Sequence, residues 1–197
     1  MKKSLVVLLI ALAIVTLFVG CKDPEVNYEV GGKGPAGGYI FYDCDADNTE
    51  DGGAGEDGLK SSECGWRFLE AAPEDLSRKY AWGPNGPVSY GTETGIGKGQ
   101  SNTDKLKDKG IDKFPAAEAC SKYNGGGYSD WFLPSKDELV LVFKNLANLS
   151  TFVNNSSYWS SSEAGNGQAY RPGSSGGTVT SDSYSVDYYV RPVRAFK

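Results

Sequence analysis

The chain contains no histidine among its 197 residues. Without an imidazole it has no Ser-His-Asp triad, no Cys-His nucleophile pair and no histidine ligand for zinc. It has only four cysteines, and no two of them show the CxxC spacing of thiolate zinc sites. These absences remove the commonest catalytic and zinc-binding centres, so the sequence predicts a protein that is not an enzyme.

The sequence also lacks an apolar run long enough for a bilayer-spanning helix. Its long hydrophobic stretch, 5–19, has about 15 residues, below the roughly 18 to 20 that cross a membrane. Lys2 and Lys3 precede this stretch and Gly20 follows it. That pattern is typical of a secretory signal peptide, here over 1–20, and a simple transmembrane anchor is the alternative interpretation.

Cys21 directly follows Phe18-Val19-Gly20. This resembles the lipobox of bacterial lipoproteins, in which the cysteine is acylated and becomes the new N-terminus; Phe18 stands where leucine is usual. Several acyl chains anchor a protein stably because each buried CH₂ contributes ~0.8 kcal/mol. We therefore expect a lipid-anchored protein of the bacterial cell envelope, exposed outside the cytoplasm on the outer surface or in the periplasm.

The charge balance is acidic. Loss of Lys2 and Lys3 with the signal peptide takes the formal net charge from −5 to −7, because the first twenty residues hold no acidic side chain. An acidic surface repels phosphate backbones and other anionic polymers. We therefore expect no nucleic-acid partner.

The chain beyond the signal divides into a short tether and one domain. Residues 21–36 are polar and aperiodic and contain Gly and Pro, as expected of a lipid-anchored tether. Residues 37–197 have β-rich segments at both ends, which predicts an α+β domain whose small antiparallel sheet pairs both ends. Strands are predicted at 38–42, 66–71, 158–162, 168–171 and 188–196.

Two or three helices are predicted in the middle of the domain. The first covers 101–109, and the second covers 115–123 and begins on a proline. Ser135 and Glu138 form a capping box, in which each side chain bonds the other residue's amide. Apolar residues follow at helical spacing, namely Leu139, Val142, Phe143 and Leu146.

Several ordered motifs give the domain a family resemblance. They are Gly37-Gly38-Tyr39-Ile40-Phe41-Tyr42, Leu69-Glu70-Ala71-Ala72-Pro73-Glu74-Asp75, Gly95-Ile96-Gly97-Lys98-Gly99-Gln100-Ser101-Asn102-Thr103, Tyr128-Ser129-Asp130-Trp131-Phe132-Leu133-Pro134-Ser135-Lys136-Asp137-Glu138-Leu139, Tyr158-Trp159-Ser160-Ser161-Ser162-Glu163 and Val190-Arg191-Pro192-Val193-Arg194-Ala195-Phe196. Over 37–196 the chain resembles the Lcl C-terminal domain family, a former domain of unknown function close to the Fibrobacter major paralogous domain. The resemblance implies a C-type-lectin-like fold in an exported protein.

The resemblance implies ligand recognition. The module that names the family is linked to sulfated glycosaminoglycans, a ligand that suits an acidic domain poorly. The Glu-Pro-Asn, Gln-Pro-Asp and Trp-Asn-Asp strings of calcium-dependent lectins do not occur. The related formylglycine-generating enzymes need a late cysteine pair, and no cysteine follows Cys120. We expect a recognition module for an extracellular or envelope ligand such as a glycan or matrix protein. A degenerate relative of those enzymes and a structural envelope lipoprotein are the alternatives.

Residues 154–189 have the composition of an adaptable binding surface, with abundant Tyr, Ser, Asn and Gly and an occasional Arg. Plain solvated loops are an equally compatible interpretation. The candidate ligand-binding residues are Trp159, Tyr170, Arg171 and Tyr188.

Two further expectations concern residues in the motifs. The four tryptophans, Trp159 among them, are predicted to pack in the core rather than to stack on a ligand. Arg191 and Arg194 lie three apart and so face opposite sides of a strand. At least one of them is therefore predicted to pair with a carboxylate inside the fold.

An acidic, Gly-rich insert lies between Cys44 and Cys64. Export favours oxidation, and a disulfide closing this loop would contribute about 3 kcal/mol. Two free thiols, or pairing of either one with Cys120, are the alternatives. The insert also offers oxygen ligands for weak Ca²⁺ binding, although the EF-hand pattern fails and a solvated acidic loop is the alternative. The candidate metal ligands are Asp43, Asp45, Asp47 and Glu50; no other cofactor is expected.

Overall fold

The computed structural model describes residues 27–46, 62, 65–149, 151–175 and 178–197. Within these residues the chain forms three α-helices and eight short strands. The helices are α1 (Gly99–Asp108), α2 (Pro115–Lys122) and α3 (Lys136–Asn145). The strands are β1 (Tyr39–Asp43), β2 (Phe68–Ala71), β3 (Tyr80–Ala81), β4 (Glu163–Gly165), β5 (Gln168–Pro172), β6 (Val179–Ser183), β7 (Asp187–Tyr188) and β8 (Val193–Phe196).

The strands form three small antiparallel sheets. The orders are β1-β2-β8, β3-β7 and β4-β5-β6. The first and last strands therefore share one sheet, but β2 lies between them and pairs with each in turn. The mixed α+β class with three helices and small antiparallel sheets is confirmed, and the two ends meet through β2 rather than directly.

Local capping signals fix the start of α3. The Ser135 hydroxyl accepts the amide of Glu138, and the Glu138 carboxylate accepts the amide of Ser135 in return. The capping box predicted from sequence is confirmed, and the apolar residues spaced behind it are all buried. These buried side chains pack α3 against the sheet that contains β1 and β8.

Two strand predictions were wrong. Residues 158–162 form no strand; Tyr158 makes an isolated bridge with Tyr189. The predicted strand 188–196 is split into β7 and β8. The residues between β7 and β8 do not continue a strand ladder. Instead, the carbonyls of Pro192 and Val190 accept the amides of Ala72 and Leu76. Pro192 itself has no amide to donate to a ladder.

Three of the tryptophans are core residues. Trp82, Trp131 and Trp159 are at most 1% exposed. Their indole N–H groups all donate to backbone carbonyls, which satisfies the polar edge of each buried ring. Trp66 lies half-buried at the edge of the core.

Part of the predicted tether belongs to the folded domain. Tyr28 packs edge-on against Phe68 and Phe196, with ring centroids 5.7 and 5.0 Å apart. The amide of Ala36 donates to the buried Glu70 carboxylate at 3.1 Å. Sequence composition predicted a tether over 21–36; these contacts join 28–36 to the sheet, and 21–26 lie outside the described residues.

We expect a fragment beginning at residue 37 to be about 2 kcal/mol less stable than one beginning at residue 27, since it loses the apolar packing and hydrogen bonds of that segment. Chemical unfolding of the two fragments measures the difference. Tyr28→Ala in the longer fragment is expected to produce part of the loss. Equal stability of the two fragments would show that 28–36 is only a tether.

Candidate functional site

Two of the four candidate ligand-binding residues come together at the C-terminal sheets. Arg171 on β5 stacks over the ring of Tyr188 on β7, with Cζ 4.8 Å from the ring centroid. Asp182 on β6 lies beside both, and Ser157 completes the group. We call the surface formed by Arg171, Tyr188, Asp182 and Ser157 the Arg171 face.

Hydrogen bonds hold the Arg171 face together. Nη1 of Arg171 donates to Ser157 Oγ at 2.8 Å, and the Tyr188 hydroxyl donates to Asp182 Oδ2 at 2.7 Å. Nε of Arg171 lies 3.3 Å from the same carboxylate oxygen. The bond from Tyr188, the Ser183 amide and the charge of Arg171 lower the pKa of Asp182. The carboxylate is thus ionised at neutral pH and orients the guanidinium.

Arg171 keeps donors that no other described residue uses. Nη2 makes no hydrogen bond within the described part of the chain, so its two N–H groups are the unused donors; Nε is buried and faces Asp182. The side chain is 25% exposed. A guanidinium has five N–H donors, so an oriented arginine with unused donors at the surface can bind a ligand oxygen.

The other two arginines of interest are fully engaged inside the fold. Arg191 donates to Asp75 and to the carbonyls of Ala72 and Thr151. Arg194 donates to Glu70 and Asp130. The prediction that at least one of Arg191 and Arg194 pairs with an internal carboxylate is confirmed, because both do.

The remaining two candidates lie elsewhere. Tyr170 precedes Arg171 on β5, so its side chain is on the opposite face of the strand, and Lys136 Nζ lies 5.5 Å from its ring centroid. Trp159 is fully buried, and its N–H donates to the carbonyls of Tyr80 and Val186. Its ring packs edge-on against the ring of Tyr188, with centroids 4.9 Å apart, and is not accessible to a ligand in this structure.

Carboxylates of the sequence motifs hold loops in place. Glu138 is fully buried and accepts the amides of Gly97 at 2.8 Å, Gly99 at 3.2 Å and Ser135 at 2.8 Å. It therefore ties the first turn of α3 to the loop that leads into α1. Burial raises the pKa of Glu138 to about 7, against the lowering effect of the amides that donate to it.

Three further motif carboxylates also accept internal hydrogen bonds. Glu70 accepts amides from the segment 36–38, and Glu163 accepts amides from the segment 90–92. Asp75 accepts from Arg191 and from the hydroxyl of Tyr158. These four motif acids, Glu138, Glu70, Glu163 and Asp75, thus make internal bonds.

The candidate calcium ligands are only partly described. Arg67 holds Asp43 through two bonds of 3.0 Å, and Asp45 lies 3.9 Å from the same guanidinium. Asp47 and Glu50 lie outside the described residues. Among the residues that are described, no group of three or more His, Cys, Asp or Glu side chains is arranged to hold a metal ion. Calcium binding by the insert stays a prediction.

The cysteine predictions also reach beyond the described residues. Cys44 is buried at the end of the first sheet, while Cys64 and the lipidation residue Cys21 lie outside the described part, as does the signal peptide 1–20. The Cys44–Cys64 disulfide stays a prediction. Cys120 is fully buried in an apolar cluster, and burial raises the pKa of its thiol.

Asp182 and Ser157 belong to the site but were not predicted from the sequence. Both lie in the segment 154–189 that was singled out by composition, but neither was distinguished from its neighbours. An arginine at a partly buried position needs a counter-charge, and Asp182 is the acid that the β5–β6 pairing places nearby, opposite Ala169. That pairing register was the missing information.

No protein-family model matches the chain, and no curated protein matches it in sequence. No helix in the described ranges is both long and apolar enough to cross a membrane.

Proposed function

We propose that this protein is an exported, lipid-anchored recognition module that binds an extracellular or envelope ligand through the Arg171 face. The observation that carries the proposal is the oriented, partly exposed guanidinium of Arg171, which keeps unused donors beside the ring of Tyr188. Rigid aromatic side chains combined with adaptable hydroxyls and an arginine are typical of recognition surfaces.

A C-type-lectin-like architecture is part of the proposal. The shared sheet of β1 and β8, the helices between them and the separate C-terminal sheets support it. The resemblance to the Lcl C-terminal domain family supports it too, since the motif acids of the resemblance fix loops of this domain. Lipidation at Cys21 is supported by the position of that cysteine after the signal sequence.

Binding of the mature chain to a panel of glycans and matrix proteins tests the proposal. We expect at least one ligand, and about a tenfold or greater loss of affinity in Arg171→Gln, because about 1.4 kcal/mol of charge-assisted bonding corresponds to tenfold. Arg78→Gln is the matched control. Arg78 also stacks on a tyrosine, with its Cζ 4.6 Å from the Tyr80 ring centroid.

The two variants separate a site from a general charge effect. Equal losses of affinity in Arg171→Gln and Arg78→Gln would indicate that the ligand is attracted non-specifically to cationic side chains. If the folded mature chain bound no member of the panel, the recognition proposal would be refuted in this form and a structural envelope lipoprotein would be favoured.

A further inference from the structure

A second surface lies in the loop between α2 and α3. Its floor is Arg194 on β8, whose side chain is only 5% exposed. The ring of Tyr128 covers this guanidinium, with Arg194 Cζ 3.9 Å from the ring centroid. Asp130 accepts two bonds from it, from Nε at 2.8 Å and from Nη2 at 2.9 Å. We call Tyr128 and Asp130 together the Tyr128 shelf.

The floor of the shelf is fixed from below. The third group of Arg194, Nη1, donates to Glu70 Oε2 at 3.2 Å. Glu70 is fully buried and also accepts the amides of Ala36 and Gly38. The guanidinium therefore cannot swing outwards without breaking a buried ion pair. Tyr128 and Asp130 are held in position before any ligand arrives, which lowers the entropic cost of binding.

The upper side of the shelf faces solvent. Tyr128 is 36% exposed although Arg194 covers one face of its ring, so the exposed part lies on the side away from Arg194. The Asp130 side chain is 50% exposed. A Cβ added at Gly127 would meet nothing within 4 Å apart from its two chain neighbours, which shows open space at the residue that precedes Tyr128. An exposed tyrosine next to glycines contributes little to the core, so its fixed orientation calls for another explanation.

The chemistry of the shelf selects the ligand class. A carboxylate oxygen that accepts one bond from Arg194 retains a second acceptor direction for a hydroxyl. The Arg194 bond lowers the pKa of Asp130, so this acceptor is charged at neutral pH. A flat ring beside a hydroxyl acceptor suits the apolar face and the adjacent hydroxyls of a sugar ring. Two carboxylates, Asp130 and Glu70, share the one guanidinium of Arg194, so the group keeps an excess negative charge that repels sulfated or carboxylated sugars.

From this geometry we infer that the Tyr128 shelf binds uncharged pyranose rings, with the sugar's C–H face stacked on Tyr128 and its hydroxyls donating to Asp130. This site is independent of the Arg171 face. The Arg171 face does not define the ligand of the recognition module, and the Tyr128 shelf adds one ligand class, neutral sugars.

Titration of the full mature chain with cellotetraose, a neutral galacto-oligosaccharide and a heparin-derived disaccharide, followed by NMR, tests the inference. We expect a neutral oligosaccharide to bind and the heparin disaccharide to bind at least about tenfold more weakly. Tyr128→Ala is expected to weaken the neutral sugar by about tenfold, the effect of losing about 1.4 kcal/mol of stacking. Tyr128→Phe keeps the ring and is expected to bind within about twofold of the unaltered chain.

Several outcomes would overturn the inference. One is the absence of neutral-sugar binding by the folded chain, and another is equal affinity in Tyr128→Ala and Tyr128→Phe. A loss of sugar binding in Arg171→Gln but not in Tyr128→Ala would assign the sugar to the Arg171 face, which refutes the shelf and leaves the proposed function standing.

Asp130→Asn, which keeps the shape of the side chain, is expected to weaken binding of the neutral sugar and to reduce the discrimination against the heparin disaccharide.

Discussion

Replacing Arg191 by methionine is expected to lower the free energy of unfolding by about 3–5 kcal/mol, the loss typical of breaking a buried ion pair from one side. Arg191 is fully buried and bonds Asp75 at 2.6 Å. It also supplies donors to the carbonyls of Ala72 and Thr151. Its removal leaves the Asp75 carboxylate, which is only 10% exposed, with the Tyr158 hydroxyl as its remaining side-chain donor, and leaves two carbonyls without their donor. The loss therefore exceeds that of an ordinary surface change.

The measurement is chemical unfolding of Arg191→Met beside Arg78→Met, in which an exposed arginine is removed. The second variant is expected to stay within about 0.5 kcal/mol of the unaltered chain. Adding Asp75→Asn to Arg191→Met is expected to recover part of the loss, because it removes the uncompensated charge. A loss below about 1 kcal/mol for Arg191→Met would contradict the buried network.

Replacing Glu138 by glutamine is expected to remove a pH dependence of stability. The pKa of this carboxyl is raised from 4.5 to about 7 by burial. Between these values the folded chain holds a proton that the unfolded chain has released, so folding is favoured at the acidic end. This contribution is complete below pH 4.5 and is lost as the pH rises through 7. Between pH 5 and pH 8 it amounts to about 2–3 kcal/mol.

Unfolding of the unaltered chain and Glu138→Gln at pH 5, 6, 7 and 8 gives the two curves to compare. Acids with lowered pKa values, such as Asp130 and Asp182, titrate below this window, so they contribute equally to both. Glutamine cannot accept the Ser135 amide through its nitrogen, so the variant is also expected to be less stable at pH 5. Parallel curves would show that Glu138 is ionised throughout.

Local signals in the sequence predicted the helices and the first strand well. The capping box at Ser135 and the proline at the start of α2 are interactions within one turn, so the order of residues alone specifies them. The strand at 38–42 corresponds to β1 within one residue at each end. The two-residue strands β3 and β7 carried no such signal, since a pair of residues shows no periodicity.

The rest could not be predicted because it depends on contacts between distant residues. The capping box identifies Glu138, but its bonds to Gly97 and Gly99 join residues about forty apart, and no local pattern encodes them. The same holds for Arg194, which stacks on Tyr128 from the far end of the chain. Composition singled out 154–189 as a candidate binding region, yet only the β5–β6 register shows that Asp182 lies beside Arg171.

The central claim is that the chain recognises its ligand through the Arg171 face. It is tested most directly by NMR of the arginine side chains during titration of the mature chain with the tightest ligand of the binding panel. Recognition through this face predicts that the guanidinium signals of Arg171 and the ring signals of Tyr188 shift in proportion to occupancy, while those of buried Arg191 do not. Saturated binding with unchanged Arg171 and Tyr188 signals would contradict it.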